Sequence, residues 1–336
     1  MKITVVGAGA IGGLVGVKMA MAGHDVTLID QGDHLEAIRK NGLKLIMGDG
    51  ETHLLKDARA TDSFAEAGKT DLVMLALKAN VIEKVASEMQ QLYGPDTMVI
   101  PLQNGLPWWY FQRFNGPHQG TQLKTLDPNG IISKHIEPER IIGSVVYPAA
   151  EITEPGVIKH VEGNRFPVGE LDGQETERVK AVSELFNSSG FKSFVLDDIR
   201  SEIWLKLWGN MSFNPISALT HSTLQDICQY PLTRELAASL MTEAQTIANK
   251  LGATFRVPME KRIEGAEKVG KHKTSTLQDV ERGMPLELDA LLGAIVEVGQ
   301  IVGEPTPHIE SVYALMKLLN EVIVNEKVGV KATTAA

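Results

Sequence analysis

The strongest constraint on the fold lies in the first thirty residues. A short β-branched run, Ile3-Thr-Val-Val6, is followed at once by Gly7-Ala8-Gly9-Ala10-Ile11-Gly12-Gly13. A helical pattern then runs to about Met21, Gly23 suits its end, and Asp25-Val-Thr-Leu-Ile-Asp30 reads as a second strand. In a strand–turn–helix–strand unit each glycine has its own task. Gly7 permits the tight turn, Gly9 lets backbone approach a pyrophosphate, and Gly12 lets helix and strand pack closely. The helix start then presents unpaired N–H groups and the positive end of its dipole to phosphate oxygens. Residues 7–12 therefore form a candidate pyrophosphate cradle. Asp30, 18 residues after Gly12, stands where a carboxylate accepts the adenosine-ribose hydroxyls.

That carboxylate also repels a 2′-phosphate, and the next residue is Gln31 rather than a basic one. The pair favours NADH over NADPH on physical grounds, although His34, Arg39 and Lys40 lie close enough in sequence to fold in around a phosphate. The alternation continues with an apolar strand at 70–77, a helix at about 80–93 and a strand at 97–102. This order predicts a doubly wound, mainly parallel sheet, an α/β Rossmann domain. Lys78 and Asn104 fall just past strand ends, on the side where such sheets bind ligands. The stretch 116–139 reads as an excursion. Strands at 141–147, 156–160, 165–168 and 192–196, with a helix at 175–187, complete a domain expected over 1–197.

Composition narrows the function classes. The formal net charge is −9 with no basic cluster, which argues against nucleic acid or an anionic membrane surface as partner. No apolar run reaches the 18–20 residues of a membrane span, and the glycine pattern explains the N-terminus better than an export signal does. The single cysteine, Cys228, fits a reducing, cytoplasmic setting. No His/Cys/Asp cluster has metal-ligand spacing, so no metal is expected.

From 198 the pattern is helical, with helices expected at 199–214, 232–251, 258–269, 275–283, 286–302 and 307–324. This all-α domain should span 198–326, followed by a frayed tail at 327–336. Within Ile203-Trp-Leu-Lys-Leu-Trp-Gly-Asn-Met-Ser-Phe-Asn-Pro215, the polar residues Lys206, Asn210 and Asn214 recur at every fourth position. Each step of four advances about 40° around a helix, so the three share one narrow stripe on an otherwise apolar rod. An ammonium and two carboxamides in such surroundings need partners. An anionic, oxygen-rich ligand would supply them; snorkelling of Lys206 to solvent is the plainer alternative. Pro215 is expected to end or kink this helix. Further on, Ser275 and Gln278 share a face, and Glu287 opens a helix, where the dipole favours a carboxylate. The aromatic run Trp108-Trp109-Tyr110-Phe111 reads equally as core or as pocket wall.

Taken in order, Gly7-x-Gly9-x-x-Gly12, Leu77-Lys78-Ala79, Gln103-Asn104-Gly105, Lys206-Leu207-x-x-Asn210-x-x-x-Asn214-Pro215, Lys273-Thr274-Ser275-x-Leu277-Gln278-Asp279 and Glu287-Leu288-Asp289 resemble the ketopantoate reductases over residues 1–325. The resemblance implies a Rossmann domain followed by a 6-phosphogluconate-dehydrogenase-like helical domain, with the site in the cleft between them. It implies NAD(P)H-dependent reduction of 2-dehydropantoate to (R)-pantoate in pantothenate biosynthesis, with NADPH usual in the family. Lys206 is then the general acid. Asn104, Asn210, Asn214 and Ser275 hold the substrate, a small anionic 2-keto acid. Lys78, Asn104 and Ala150 lie along the cofactor, and Glu287 stands near the nicotinamide ribose and the reacting centre. This sequence has Asp30-Gln31 where many members carry a basic residue, lacks an Asn within Thr220-His221-Ser222-Thr223-Leu224 that some members use, and has the bulky Trp108-Trp109 pair. A same-fold enzyme for a bulkier 2-keto or 2-hydroxy acid is therefore the rival reading. A non-catalytic dinucleotide sensor is a third, and a homodimer is compatible with each.

Overall fold

The structure, a computed structural model, describes residues 1–332. It divides into two compact units. One comprises Met1–Gln103, Phe111–Gln122 and Asn129–Ile199; the other comprises Asn104–Tyr110, Leu123–Pro128 and the chain from Arg200 onward. The expected domain 1–197 thus loses residues 104–110 and 123–128 to the helical unit. Their contacts explain why: Tyr110 accepts the indole N–H of Trp204 at 2.8 Å, and the backbone amides of Lys124 and Thr125 both donate to the Glu297 carboxylate.

The first unit begins β1 (Lys2–Val6), α1 (Ala10–Met21), β2 (Asp25–Ile29), α2 (Gly32–Asn41), β3 (Leu43–Ile46), β4 (Thr52–Leu55), β5 (Arg59–Thr61), α3 (Phe64–Ala67), β6 (Thr70–Leu75), α4 (Ile82–Val85) and β7 (Tyr93–Pro101). It continues with α5 (Ile131–His135), β8 (Gly143–Ser144), β9 (Ala149–Glu154), β10 (Val157–Glu162), β11 (Val168–Gly169) and α6 (Glu177–Ser188). Five strands form a wholly parallel sheet in the order β5-β2-β1-β6-β7, with Val6 aligned beside Ile29 and Leu75. The runs Ile3–Val6 and Leu72–Leu75 are buried on both faces and apolar except for Thr4, as a sheet covered on both sides favours. The chain first adds strands on one side of β1 and then crosses to the other, so the switch point lies between β1 and β6. Ligands of such sheets sit beyond the strand ends there.

A second sheet, β4-β3-β10-β9, was not anticipated from β3 and β4, whose short alternating runs carry little signal. It packs on α1, where Gly13 has room for no side chain: an added Cβ would lie 2.7 Å from Ile158. The single helix expected at 80–93 is instead α4 between two 3₁₀ turns, Ala79–Val81 and Glu88–Leu92. The strand expected at 192–196 reduces to isolated bridges from Lys192 and Val195.

The helical unit contains α7 (Ile199–Thr220), α8 (Leu224–Gln229), α9 (Pro231–Lys250), α10 (Met259–Lys268), α11 (Ser275–Arg282), a π-helical turn (Asp289–Gly293), α12 (Ala294–Val302) and α13 (Pro307–Glu326). Pro215 does not end α7, which runs one and a half turns further. An interior proline costs about 3 kcal/mol. Burial of an Ile or Phe contributes about 1.5–3 kcal/mol, and Phe213, Ile216 and Ala218 around the proline are all buried. The helix expected from 286 begins as the π turn, in which the Ala294 amide reaches back to the Asp289 carbonyl. The expected frayed tail is partly tied down, since the Val330 amide donates to the Val280 carbonyl at 3.1 Å. Residues 333–336 of that tail lie outside the described residues. No helix among the described residues is long and apolar enough to cross a membrane.

Candidate active site

The glycine turn behaves as its spacing requires. Gly7 has φ +92°, and Gly12 lies so close beneath it that an added Cβ would sit 1.8 Å from the Gly7 carbonyl oxygen. Gly9 differs. It has φ −63°, and a Cβ there meets nothing nearer than Ile152 Cδ1 at 4.0 Å. Neither backbone strain nor packing demands glycine at position 9. The space above it is what a closely approaching diphosphate needs, so the turn fits a dinucleotide. Ala8 is buried, while Ala10 and Ile11 are half-buried in the first turn of α1. Ala150 lies on β9, the strand whose Ile152 approaches this turn.

Asp30 directly follows β2, and its carboxylate accepts the Gln31 amide at 2.7 Å. Of the basic residues that could offset it, two are already engaged. His34 Nε2 contacts the Ala8 carbonyl at 3.0 Å while its Nδ1 accepts from the Gly156 amide at 3.1 Å. Arg39 donates to the Ala60 carbonyl at 3.1 Å and to Asp62 at 3.0 Å. Lys78 follows β6, half-buried, at the head of the 3₁₀ turn. Gln103, passed over as a site residue, spans the ends of β6 and β7: its Nε2 donates to the carbonyls of Leu75 at 2.6 Å and Leu77 at 3.1 Å. Its place beside Asn104 in the Gln-Asn-Gly motif was the available signal.

In the helical unit, Lys206 does not snorkel. Its Nζ donates to Asn104 Oδ1 at 2.5 Å. The Asn104 bend is held by Gly105, with φ +90°, whose missing Cβ would come within 2.3 Å of the Ala290 carbonyl oxygen. That same carbonyl accepts the Leu106 amide at 2.8 Å. The π turn is braced in its own right by Tyr313, whose hydroxyl donates to Asp289 at 2.5 Å. Glu287 immediately precedes the first helical residue, Leu288, close enough for its charge to act on Lys206. Burial lowers the Lys206 pKa from 10.5 to about 8, and Glu287 opposes the shift. Asn210 is half-buried and Asn214 only 8% exposed, and no hydrogen bond joins either carboxamide to the described residues. Ser275 is the exposed first residue of α11, behind the capping Thr274. The aromatic run is core rather than pocket wall. Trp108 to Phe111 are buried, and Tyr110 meets Trp204 edge-on at 6.1 Å.

Chemically, the first unit offers a glycine turn with room for a diphosphate and, just past β2, the carboxylate of Asp30. The second offers an ammonium able to give up a proton near neutral pH, and two carboxamides without a hydrogen-bond partner among the described residues, suited to carboxylate and hydroxyl oxygens. These are the parts that a nicotinamide-dependent oxidoreductase acting on a CH–OH/carbonyl pair requires. A family profile described as ketopantoate reductase PanE/ApbA matches residues 3–110, and its C-terminal counterpart matches residues 198–320. A 2-dehydropantoate 2-reductase of Mesorhizobium japonicum is 51% identical over 95% of this chain and 98% of its own. One from Pyrococcus horikoshii is 32% identical over 94% and 97%. A Ralstonia solanacearum structure assigned to the ketopantoate reductases superposes with a TM-score of 0.91 at 37% identity, covering 96% of this chain and 98% of that one. The chain belongs to the ketopantoate reductase family. These matches favour neither the bulkier-acid reading nor the non-catalytic one.

Proposed function

We propose that this chain reduces 2-dehydropantoate to (R)-pantoate, the pantothenate-pathway step for which its relatives are named, and that it prefers NADH. The observation carrying this reading is the lowered-pKa Lys206 ammonium, anchored by Asn104 at the head of a stripe whose two carboxamides have no hydrogen-bond partner among the described residues. A dinucleotide seated at the glycine turn supplies the hydride that reduces the keto carbon. Lys206 Nζ donates to the keto oxygen, stabilises the negative charge that develops there and transfers its proton to make the hydroxyl; solvent then reprotonates the neutral amine. Asn104 aims the ammonium. Asn210 and Asn214, with Ser275, donate to the substrate carboxylate and accept from its hydroxyl. Glu287 sustains the charged form of Lys206 and borders the ribose. Lys78 and Ala150 line the cofactor.

The NADH preference rests on Asp30, exposed Gln31, and the prior engagement of His34 and Arg39. The test is NADH and NADPH oxidation with 2-dehydropantoate and a panel of other 2-keto acids, comparing wild type with Lys206→Ala. Turnover with 2-dehydropantoate that the substitution leaves intact refutes the proton-donor role. A strong NADPH preference refutes the reading of Asp30.

A further inference from the structure

His34 belongs to no motif, yet it ties together three separate parts of the first unit. It stands in the first turn of α2. Its Nδ1 lies 3.1 Å from the backbone nitrogen of Gly156, in the β9–β10 turn, and its Nε2 lies 3.0 Å from the carbonyl oxygen of Ala8, inside the glycine turn. The Gly156 amide can only donate. Nδ1 must therefore be the unprotonated, accepting nitrogen, and Nε2 carries the hydrogen that goes to Ala8. Both ends of this bridge are themselves constrained. Gly156 has φ +78°, and its own carbonyl accepts the Lys44 amide at 2.9 Å, which fixes the turn to β3. Ala8 is buried. Its carbonyl precedes α1, and the helix's close turn at this point runs from Gly13 to Gly9 at 2.6 Å, so His34 supplies the Ala8 oxygen with a donor.

The consequence follows from peptide planarity. In a trans peptide the carbonyl of Ala8 and the N–H of Gly9 point in opposite directions. A donor that holds the Ala8 oxygen therefore fixes the direction of the Gly9 N–H, at the one glycine in the turn whose missing side chain leaves open space rather than relieving a clash. We infer that His34 is a positioning residue for dinucleotide binding: anchored by the Gly156 amide of the β9–β10 turn, it grips the back of the Ala8–Gly9 peptide from α2 and aims the Gly9 N–H at the pyrophosphate. Both ring nitrogens of His34 are engaged by backbone groups, so its effect is carried by the peptide it holds.

The inference rests on the proposed dinucleotide site, and the experiment separates the two. Equilibrium binding of NADH and NADPH to the full chain, read by nicotinamide fluorescence, is compared for wild type, His34→Leu and His34→Gln, alongside backbone amide exchange at Gly156. Glutamine can still donate from about the Nε2 position but offers Gly156 no acceptor at Nδ1. Loss of one such hydrogen bond corresponds to about fivefold weaker binding. The Leu variant should bind dinucleotide about fivefold more weakly, and the Gln variant within about twofold of wild type. Gly156 exchange should accelerate in both, and the KM for the keto acid at saturating dinucleotide should not move. A Leu variant that binds like wild type, or Leu and Gln variants that weaken equally, overturns the inference and leaves the functional reading standing. Wild type that binds neither dinucleotide overturns the functional reading and this inference with it.

Discussion

Raising the pH from 7 to 9 should slow carbonyl reduction about tenfold. The keto oxygen takes its proton from Lys206, whose pKa burial lowers to about 8. The protonated fraction is then about 0.9 at pH 7 and about 0.09 at pH 9, and kcat/KM for the keto acid falls in proportion. A lysine with its ordinary value of 10.5 would lose only about 3% of its protons over that range, so the two cases differ well beyond experimental error. The reverse reaction, oxidation of the hydroxy acid, needs the neutral amine and should rise over the same interval. Glu287→Gln removes the negative charge that holds the ammonium's pKa up, so the descending limb should move to lower pH while burial continues to act. The assay is initial-rate NADH oxidation at saturating cofactor from pH 6 to 10, in constant ionic strength, in both directions. A reduction rate that stays level to pH 9.5 sinks the assignment of Lys206 as proton donor, as does a limb that moves upward in the Gln variant.

Replacing the same side chain should separate activity from stability. Lys206→Met should abolish turnover yet raise the thermal midpoint: a folded-state pKa below the unfolded value means the folded chain carries an unfavourable charge below pH 8, worth up to about 3 kcal/mol and relieved progressively as pH rises from about 8 to 10.5. Calorimetry that finds the variant less stable counts against the desolvated ammonium. Gly9→Ala should fold with an unchanged melting temperature and lose dinucleotide binding, whereas Gly12→Ala, whose Cβ would overlap the Gly7 carbonyl oxygen, should lose both; binding and melting measured together distinguish them. Asp30→Ser with Gln31→Arg should shift the NADPH/NADH ratio of kcat/KM toward NADPH by tenfold or more, since a favourable pairing replaces a like-charge repulsion at the 2′ position. An unchanged ratio shows that other groups set the preference.

Features written into consecutive residues were legible from sequence. The glycine turn, its flanking strands, Asp30, and the buried helix with its Lys206–Asn210–Asn214 stripe all repeat with the period of the element that carries them. Features that depend on distant partners were not. Nothing local announces that Asn104 is the acceptor for Lys206, 102 residues away, nor that His34 bridges Ala8 and Gly156. β3 and β4 are too short to display a period, and β3, which pairs with β4 on one side, needs β10, more than a hundred positions on, for the other. Pro215 misled because propensity describes an isolated helix, whereas this one is buried around the proline. Trp108 and Trp109 were ambiguous for the same reason: aromatic residues look alike in sequence whether they meet a ligand or, as here, are buried in the core.

The allegiance of residues 104–110 and 123–128 to the helical unit bears on how this enzyme can be dissected or recombined. A fragment stopped at 197 would carry Tyr110 without the indole that covers it and would leave the Lys124–Thr125 amides without their carboxylate, a recipe for sticky, insoluble product. A chimera spliced cleanly at that junction would mate one parent's aromatic plug with the other's socket. Gene shuffling among homologues should therefore transplant those two short loops together with the C-terminal half, although residues 129–199 still separate them from it.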